Sequence, residues 1–157
     1  VRSIRLRPAR KKDLESIYFI ERQCFPTPWS GALFLYELKK PYARLWVLEH
    51  KEKIIGYICF WIVAGELHLA NIAVDPAWRR RGLATFMLQT MFRYARKKGA
   101  KRVLLEVRQK NLAAQTLYKR LGFQVDGRRK QYYSDTKEDA ILMSLDLKCV
   151  RWTNLRK

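Results

Sequence analysis

The chain has 157 residues, of which 48% are apolar and 13% aromatic, and its 33 lysines and arginines outnumber 14 acidic residues for a formal charge of +19. That apolar content excludes a disordered chain, and the length suits one domain with its own core. So basic a surface attracts polyanions and steers small anions without by itself establishing either as a partner. No apolar run reaches the length of a membrane span, and the first dozen residues lack the apolar segment of a secretory signal, so the expectation is a cytoplasmic protein with no membrane partner. Cys24, Cys59 and Cys149 are widely spaced, without a zinc or redox pattern, and read as reduced structural thiols; no metal site is expected.

Residues 4–7 alternate weakly and run into Pro8, which predicts a first strand. A helix over about 11–24 follows, on which Leu14, Ile17, Ile20 or Glu21, and Cys24 keep helical spacing. Two prolines break it in the run Cys24-Phe25-Pro26-Thr27-Pro28-Trp29-Ser30, and Ser30 caps a second helix to about Lys39. By itself that connection reads as a packed loop with a buried tryptophan. Residues 43–49, 54–63 and 66–74 are three strands joined by short turns, an antiparallel meander.

The stretch 71–100 organises the rest. Asn71-Ile72-Ala73-Val74 ends a strand, and Asp75-Pro76 turns the chain, since proline cannot supply a ladder N–H. A helix follows in which Leu83, Met87, Met91 and Tyr94 or Ala95 form an apolar stripe, widened by Phe86, Leu88 and Phe92. Arg96, Lys97 and Lys98 suit the dipole at its C-terminus and Gly99 ends it. Its entry is Arg79-Arg80-Arg81-Gly82-Leu83-Ala84, free backbone N–H groups among cations, with Gly82 and Ala84 small enough to let an anion such as a pyrophosphate approach the backbone. No Gly-Lys-Ser/Thr follows, which excludes a P-loop, and Gly-x-Gly-x-x-Gly is absent.

Residues 102–107 form a strand joined to the preceding one through a helix, so the two should lie parallel after a right-handed crossover. On it Leu104 and Glu106 share one face, and a carboxylate on an apolar strand needs a partner, water or a task; an arginine at the sheet edge would be the plain partner. Asn111 caps a helix that ends at Gly122, and Tyr118 lies on its inward stripe with Ala114, Leu117 and Leu121, its hydroxyl needing a partner. Residues 123–126 and 140–147 read as closing strands around a polar loop, 127–139, that carries Tyr132 and Tyr133, aromatic surface for RNA or a lid over a peptide end. The sum is an α/β fold with a mixed, mostly antiparallel sheet of about seven strands and about four helices, one domain over 1–147 and a basic tail over 148–157.

These motifs resemble the GNAT superfamily of N-acetyltransferases. Arg79, Gly82 and Ala84 fit its pyrophosphate loop, Arg/Gln-x-x-Gly-x-Gly/Ala. The blocks Pro28-Trp29-Ser30, Asn71 to Pro76, Leu105 to Arg108 with Asn111, Leu117 to Phe123, and Tyr132-Tyr133 with Glu138-Asp139-Ala140 resemble its RimI-like branch, which acetylates the N-terminal alanine of a small-subunit ribosomal protein.

The resemblance implies acetyl-CoA as cosubstrate, held between the fourth and fifth strands where they splay apart, by Ile72, Ala73, Val74, the loop Arg79, Arg80, Arg81, Gly82, Leu83 and Ala84, and Asn111. It implies Glu106 as general base, Tyr118 as general acid, and Phe25, Pro28, Trp29, Tyr132 and Tyr133 around the acceptor. Glu66 and His68 are reserve candidates for the base. The expected partner is a protein N-terminus, with RNA or ribosome contact through the basic surface and a monomer or weak dimer. Alternatives are a broader, archaeal-type N-terminal acetyltransferase, or a basic RNA-binding member of the fold with secondary catalysis. A small-amine acetyltransferase fits less well, because polyamines would be repelled by so cationic a surface.

Overall fold

The computed structural model describes residues 3–153. Seven strands lie in one sheet in the order β1-β2-β3-β4-β5-β7-β6. They are β1 (Ile4–Pro8), β2 (Ala43–His50), β3 (Lys53–Val63), β4 (Glu66–Val74), β5 (Arg102–Arg108), β6 (Gln124–Arg129) and β7 (Ala140–Asp146), with helices α1 (Leu14–Cys24), α2 (Gly31–Lys39), α3 (Leu83–Lys97) and α4 (Leu112–Arg120). β4 and β5 pair in parallel, Glu66 to Arg102, Leu67 to Val103 and His68 to Leu104, as the crossover through α3 requires. That ladder covers three residue pairs, whereas β5 pairs antiparallel with β7 along its whole length, Arg102–Asp146 to Arg108–Ala140.

The described chain divides into two compact units, one taking the chain up to Trp61 and Ala70–Thr90, the other Ile62–Leu69 and the chain from Met91 on. In the first, Ile17 and Ile20 of α1 and Phe34 of α2 pack on Leu45, Val47 and Tyr57 of β2 and β3, all buried. Each such side chain contributes roughly 1.5–3 kcal/mol by leaving water. Ser30 caps α2 by accepting from the Leu33 N–H at 3.1 Å. Gly56 is required by a close approach: a Cβ there would lie 2.9 Å from the Ala73 carbonyl oxygen, so only glycine lets β3 run so near β4. In the second unit Phe92, Tyr118 and Phe123 pack ring on ring, with centroids 5.5–6.0 Å apart, beside buried Leu121, Val103, Leu105, Met143 and Leu145.

Several boundaries differ from expectation, most by one residue, and three of them have a visible cause. The first helix opens as a 3-10 turn, Lys11–Asp13, because the Asp13 carboxylate turns back to accept from the Arg10 N–H at 2.8 Å and from the Arg7 guanidinium at 2.8 and 3.1 Å. β6 runs on to Arg129, past the expected end at residue 126: after a bulge between Val125 and Gly127 its backbone pairs with Leu142, Ile141 and Ala140, while its polar side chains face solvent from a sheet edge. β7 stops at Asp146, whose carboxylate accepts from the Lys148 N–H and starts another 3-10 turn, Leu147–Cys149. Of the basic tail, residues 154–157 lie outside the described residues.

Candidate active site

The helix entry expected to bind an anion belongs to the first unit. β4 ends at Val74, Asp75 accepts from the Ala77 N–H at 2.9 Å to set a 3-10 turn, Pro76–Trp78, and the backbone then takes left-handed conformations at Arg80 (φ 63) and Gly82 (φ 74) before α3 begins. Left-handed residues set among extended or helical neighbours turn successive N–H groups toward one concavity, the geometry of an anion nest at a helix start. Leu83 is buried and anchors the first turn; Ala84 is half-buried. The three arginines go different ways. Arg79 donates to the Cys24 sulfur at 3.2 Å, Arg81 stacks over the Trp78 ring at 4.6 Å, and Arg80 is exposed. Burial raises the pKa of the Cys24 thiol, and the Arg79 guanidinium partly offsets that.

The connection Phe25 to Trp29, also in the first unit, is fixed by a residue that sequence reading left inside an apolar stripe. Glu21 is 1% exposed, and its carboxylate accepts from the Tyr57 hydroxyl at 2.6 Å, the Asn71 amide at 2.8 and 3.0 Å, and the Trp29 backbone N–H at 3.4 Å. All of these donors are neutral. Burial, opposed by these hydrogen bonds, raises its pKa above the ordinary glutamate value. The effect is to tie α1, β3, β4 and the tryptophan loop at one point, with Trp29 packed on Phe34 at 5.2 Å. Phe25, Pro28 and Trp29 are half-buried, so each keeps part of its surface in reach of a ligand.

The second unit gathers the groups expected to carry acid–base chemistry. Paired residues of a parallel ladder point to the same face, and so do Leu104 and Glu106, two apart on β5; His68, opposite Leu104, therefore shares a face with Glu106. The two meet: His68 Nε2 lies 2.5 Å from Glu106 Oε2, with side chains 32% and 21% exposed, open enough for a substrate or water. Glu106 and His68, expected to be rival candidates for one role, are hydrogen-bonded partners, and histidine stands where the plain reading of Glu106 would have put an arginine. The other reserve candidate, Glu66, faces Arg102 across 3.6 Å in a half-exposed pair.

Tyr118 is buried, and desolvation foremost raises the pKa of its hydroxyl, so it keeps its proton at neutral pH. Asn111 caps α4, accepting from the Ala114 N–H at 3.2 Å. Tyr132 is exposed and Tyr133 half-buried, their rings edge to face at 5.0 Å. Burial first, then the charge of Glu106 beside it, raises the Tyr132 hydroxyl; burial pushes Tyr133 up to about 12.

What holds this loop to β5 is Arg108, a second residue that sequence reading passed over. Its guanidinium grips Asp135 at 2.9 and 3.2 Å, lies 3.6 Å from Glu138, and stacks on the Tyr133 ring at 4.0 Å. Glu138 also accepts from the Lys110 N–H at 2.7 Å. The signal for this latch was present as Arg108 on a strand two residues from Glu106 and three carboxylates at 135, 138 and 139, but nothing local paired them. For Glu21 the signal was an acidic residue at an inward position of α1.

With the geometry in hand, comparison with known proteins is direct. The model of the acetyltransferase (GNAT) family matches residues 14–123. The [ribosomal protein bS18]-alanine N-acetyltransferase of Escherichia coli (strain K12) is 36% identical over 137 residues, 86% of this chain and 92% of that one. A Bacillus subtilis (strain 168) protein, given the same name provisionally, is 38% identical over 139 residues, 88% and 92% of the two chains. The crystal structure of the ribosomal-protein-S18-alanine N-acetyltransferase from Escherichia coli superposes with a TM-score of 0.85 at 32% identity, covering 98% of this chain and 99% of the other. The chain belongs to the GNAT family of acetyltransferases. Within it, the similarity places it on the RimI-like branch of N-acetyltransferases.

Proposed function

We propose that the protein transfers an acetyl group from acetyl-CoA to the N-terminal α-amine of a protein, the alanine of a small-subunit ribosomal protein, as the names of its relatives state for those enzymes. The observation that carries the reading is the open His68–Glu106 pair on neighbouring strands, with the Tyr132 hydroxyl beside Glu106. An α-amine has a pKa of about 8, so at pH 7 roughly a tenth of it is already neutral, and a carboxylate suffices to take its remaining proton, directly or through one water. Glu106 is that base, and His68 holds one of its oxygens in a fixed direction.

The amine nitrogen bonds to the thioester carbonyl carbon while the C–S bond breaks, so no enzyme nucleophile is needed. A backbone N–H of β4 near Ala73 or Val74 stabilises the developing oxyanion. Tyr118, protonated at neutral pH, donates toward the departing sulfur. The left-handed entry at Arg80 and Gly82 suits the pyrophosphate of the donor, with Ile72, Arg79, Arg81, Leu83, Ala84 and Asn111 along its length. Phe25, Pro28, Trp29, Tyr132 and Tyr133 receive the acceptor's first residues.

The test is acetyl transfer to peptides differing only in the first residue, by wild type, Glu106→Gln and Tyr118→Phe, with acetyl-CoA binding measured in parallel. The expected outcome is a preference for alanine and a loss of about a hundredfold or more in kcat/KM in each variant, the usual weight of a positioned acid or base. Activity that survives Glu106→Gln would move the base to His68. Even use of many N-termini would point to the broader enzyme. Acetyl-CoA binding without transfer would overturn the reading.

A further inference from the structure

The excess of cations is not spread evenly over the second unit. α3 ends in Arg93, Arg96, Lys97 and Lys98, and Lys101 opens the next segment; α4 ends in Lys119 and Arg120; Lys148 and Arg151 follow β7. All nine are exposed, against one carboxylate in these segments, Asp146, whose oxygen is already used by the Lys148 N–H. Neighbouring Arg102 is matched by Glu66. Hydrogen bonds bring the three segments together: Arg96 donates to the Leu147 carbonyl, the Leu147 N–H to the Lys101 carbonyl at 2.9 Å, and the Arg151 N–H to the Leu121 carbonyl at 2.9 Å. Gly122 permits the last contact, since at φ 110 a Cβ would lie 2.8 Å from the Cys149 carbonyl oxygen.

Trp152 completes the cluster. Its indole, 41% exposed, sits against buried Phe92 at 6.4 Å, with the Arg93 and Arg96 guanidiniums 4.8 and 5.3 Å from its ring. Guanidiniums stacked on an aromatic ring are held in orientation and surrender less rotamer freedom when their forks meet a phosphate. The ring itself offers a surface to an unstacked base.

We propose that this end of the second unit, formed by the close of α3, the close of α4 and the segment after β7, is a docking surface for RNA. Nine cations against one carboxylate fit a phosphodiester backbone. A lipid surface is a poorer match, because Trp152 is the exposed large apolar side chain of these segments and a membrane-binding face needs several. On β5, Glu106 stands four residues from Arg102, roughly 13 Å along the strand, so the patch is separate from the acid–base pair.

The test is fluorescence anisotropy of a labelled single-stranded 12-nucleotide RNA, titrated with the full chain at several NaCl concentrations. Lys97→Glu/Lys98→Glu/Lys148→Glu is compared with Lys11→Glu/Lys12→Glu/Lys53→Glu, the same change of charge placed on exposed positions of the first unit. The patch variant is expected to bind about fifty-fold more weakly at 150 mM NaCl, with the slope of log K against log salt flattened by about 2, from roughly 0.7 per lost phosphate contact. The control should change less than about threefold by the same counterion reasoning. Trp152→Ala should weaken binding about fivefold through lost stacking. Acetyl transfer to a free peptide and thermal unfolding are measured on every variant and are expected to be near wild type. Equal weakening by patch and control variants would show only bulk charge and overturn the proposal. So would binding to phosphatidylglycerol vesicles or polyglutamate with none to RNA.

Discussion

Two loops are proposed to receive the acceptor, and each unit holds its own by opposite physics. In the first unit the tryptophan loop is tied by Glu21, a buried carboxylate that collects neutral donors. In the second the Tyr132–Tyr133 loop is tied by Arg108, a partly exposed cation that collects carboxylates and a ring. A buried carboxylate with its hydrogen bonds satisfied is costly to remove and indifferent to salt, because its partners would be orphaned out of water. An ion cluster at the surface is weaker and screened within about 8 Å at physiological salt. The tryptophan loop is therefore fixed within its unit, and the tyrosine loop is held by a latch whose strength depends on the solution.

The sharpest way to break this contrast is Glu21→Ala. With three donors orphaned, the Tyr57 hydroxyl buried and those of Asn71 and Trp29 half-buried, the free energy of unfolding should fall by about 3 kcal/mol, equally at 50 and 500 mM NaCl, measured by urea denaturation. Arg108→Gln should cost only about 1 kcal/mol at low salt, with at least half of that gone at 500 mM, because its pairs are partly exposed. It should also raise KM for the acceptor peptide several-fold while leaving KM for acetyl-CoA unchanged. A salt-independent loss for Arg108→Gln would remove the distinction between the loops.

The smallest effect is one of pH. The folded state raises the pKa of Glu21 above its unfolded value of about 4.3, so between the two values the native state holds more protons than the unfolded chain, and stability falls as pH rises through that window. Asp13, also buried but held by Arg7, has its pKa lowered and contributes in the opposite sense, its stabilisation being lost as pH falls through the lowered value. Glu21→Gln should abolish the first slope and leave the second, as read from melting temperatures across pH 3 to 7.

Much of the fold was legible because local chemistry and global position agreed. Ser30 and Asn111 are caps in sequence and in structure, the crossover through α3 fixed the parallel pair, and Gly122 closes α4. Glu106 stood out because a carboxylate on an apolar strand must be explained. Its partner was not legible: His68 lies 38 residues away, and only the register of β4 on β5 puts both on one face. Glu21 was hidden for the converse reason, since its helical spacing placed it inward but gave no sign that Tyr57 and Asn71 would converge on it. The placement of β7 between β5 and β6 is likewise a matter of sheet assembly that no local pattern announces.

That placement bears on how the protein is made. β5 carries Glu106, and its full-length antiparallel neighbour is β7, which is synthesised only after α4 and β6. Until β7 has been synthesised, the edge of β5 that it will pair with has no ladder partner, a row of open amides and carbonyls on the strand that carries Glu106. The His68–Glu106 pair thus has its full strand support only once the chain has been made through Asp146. Chain order and sheet order part company here: a chain cut before residue 140 would keep the residues of the left-handed turn at Arg80 and Gly82 but lack the strand that flanks Glu106 along the whole of β5.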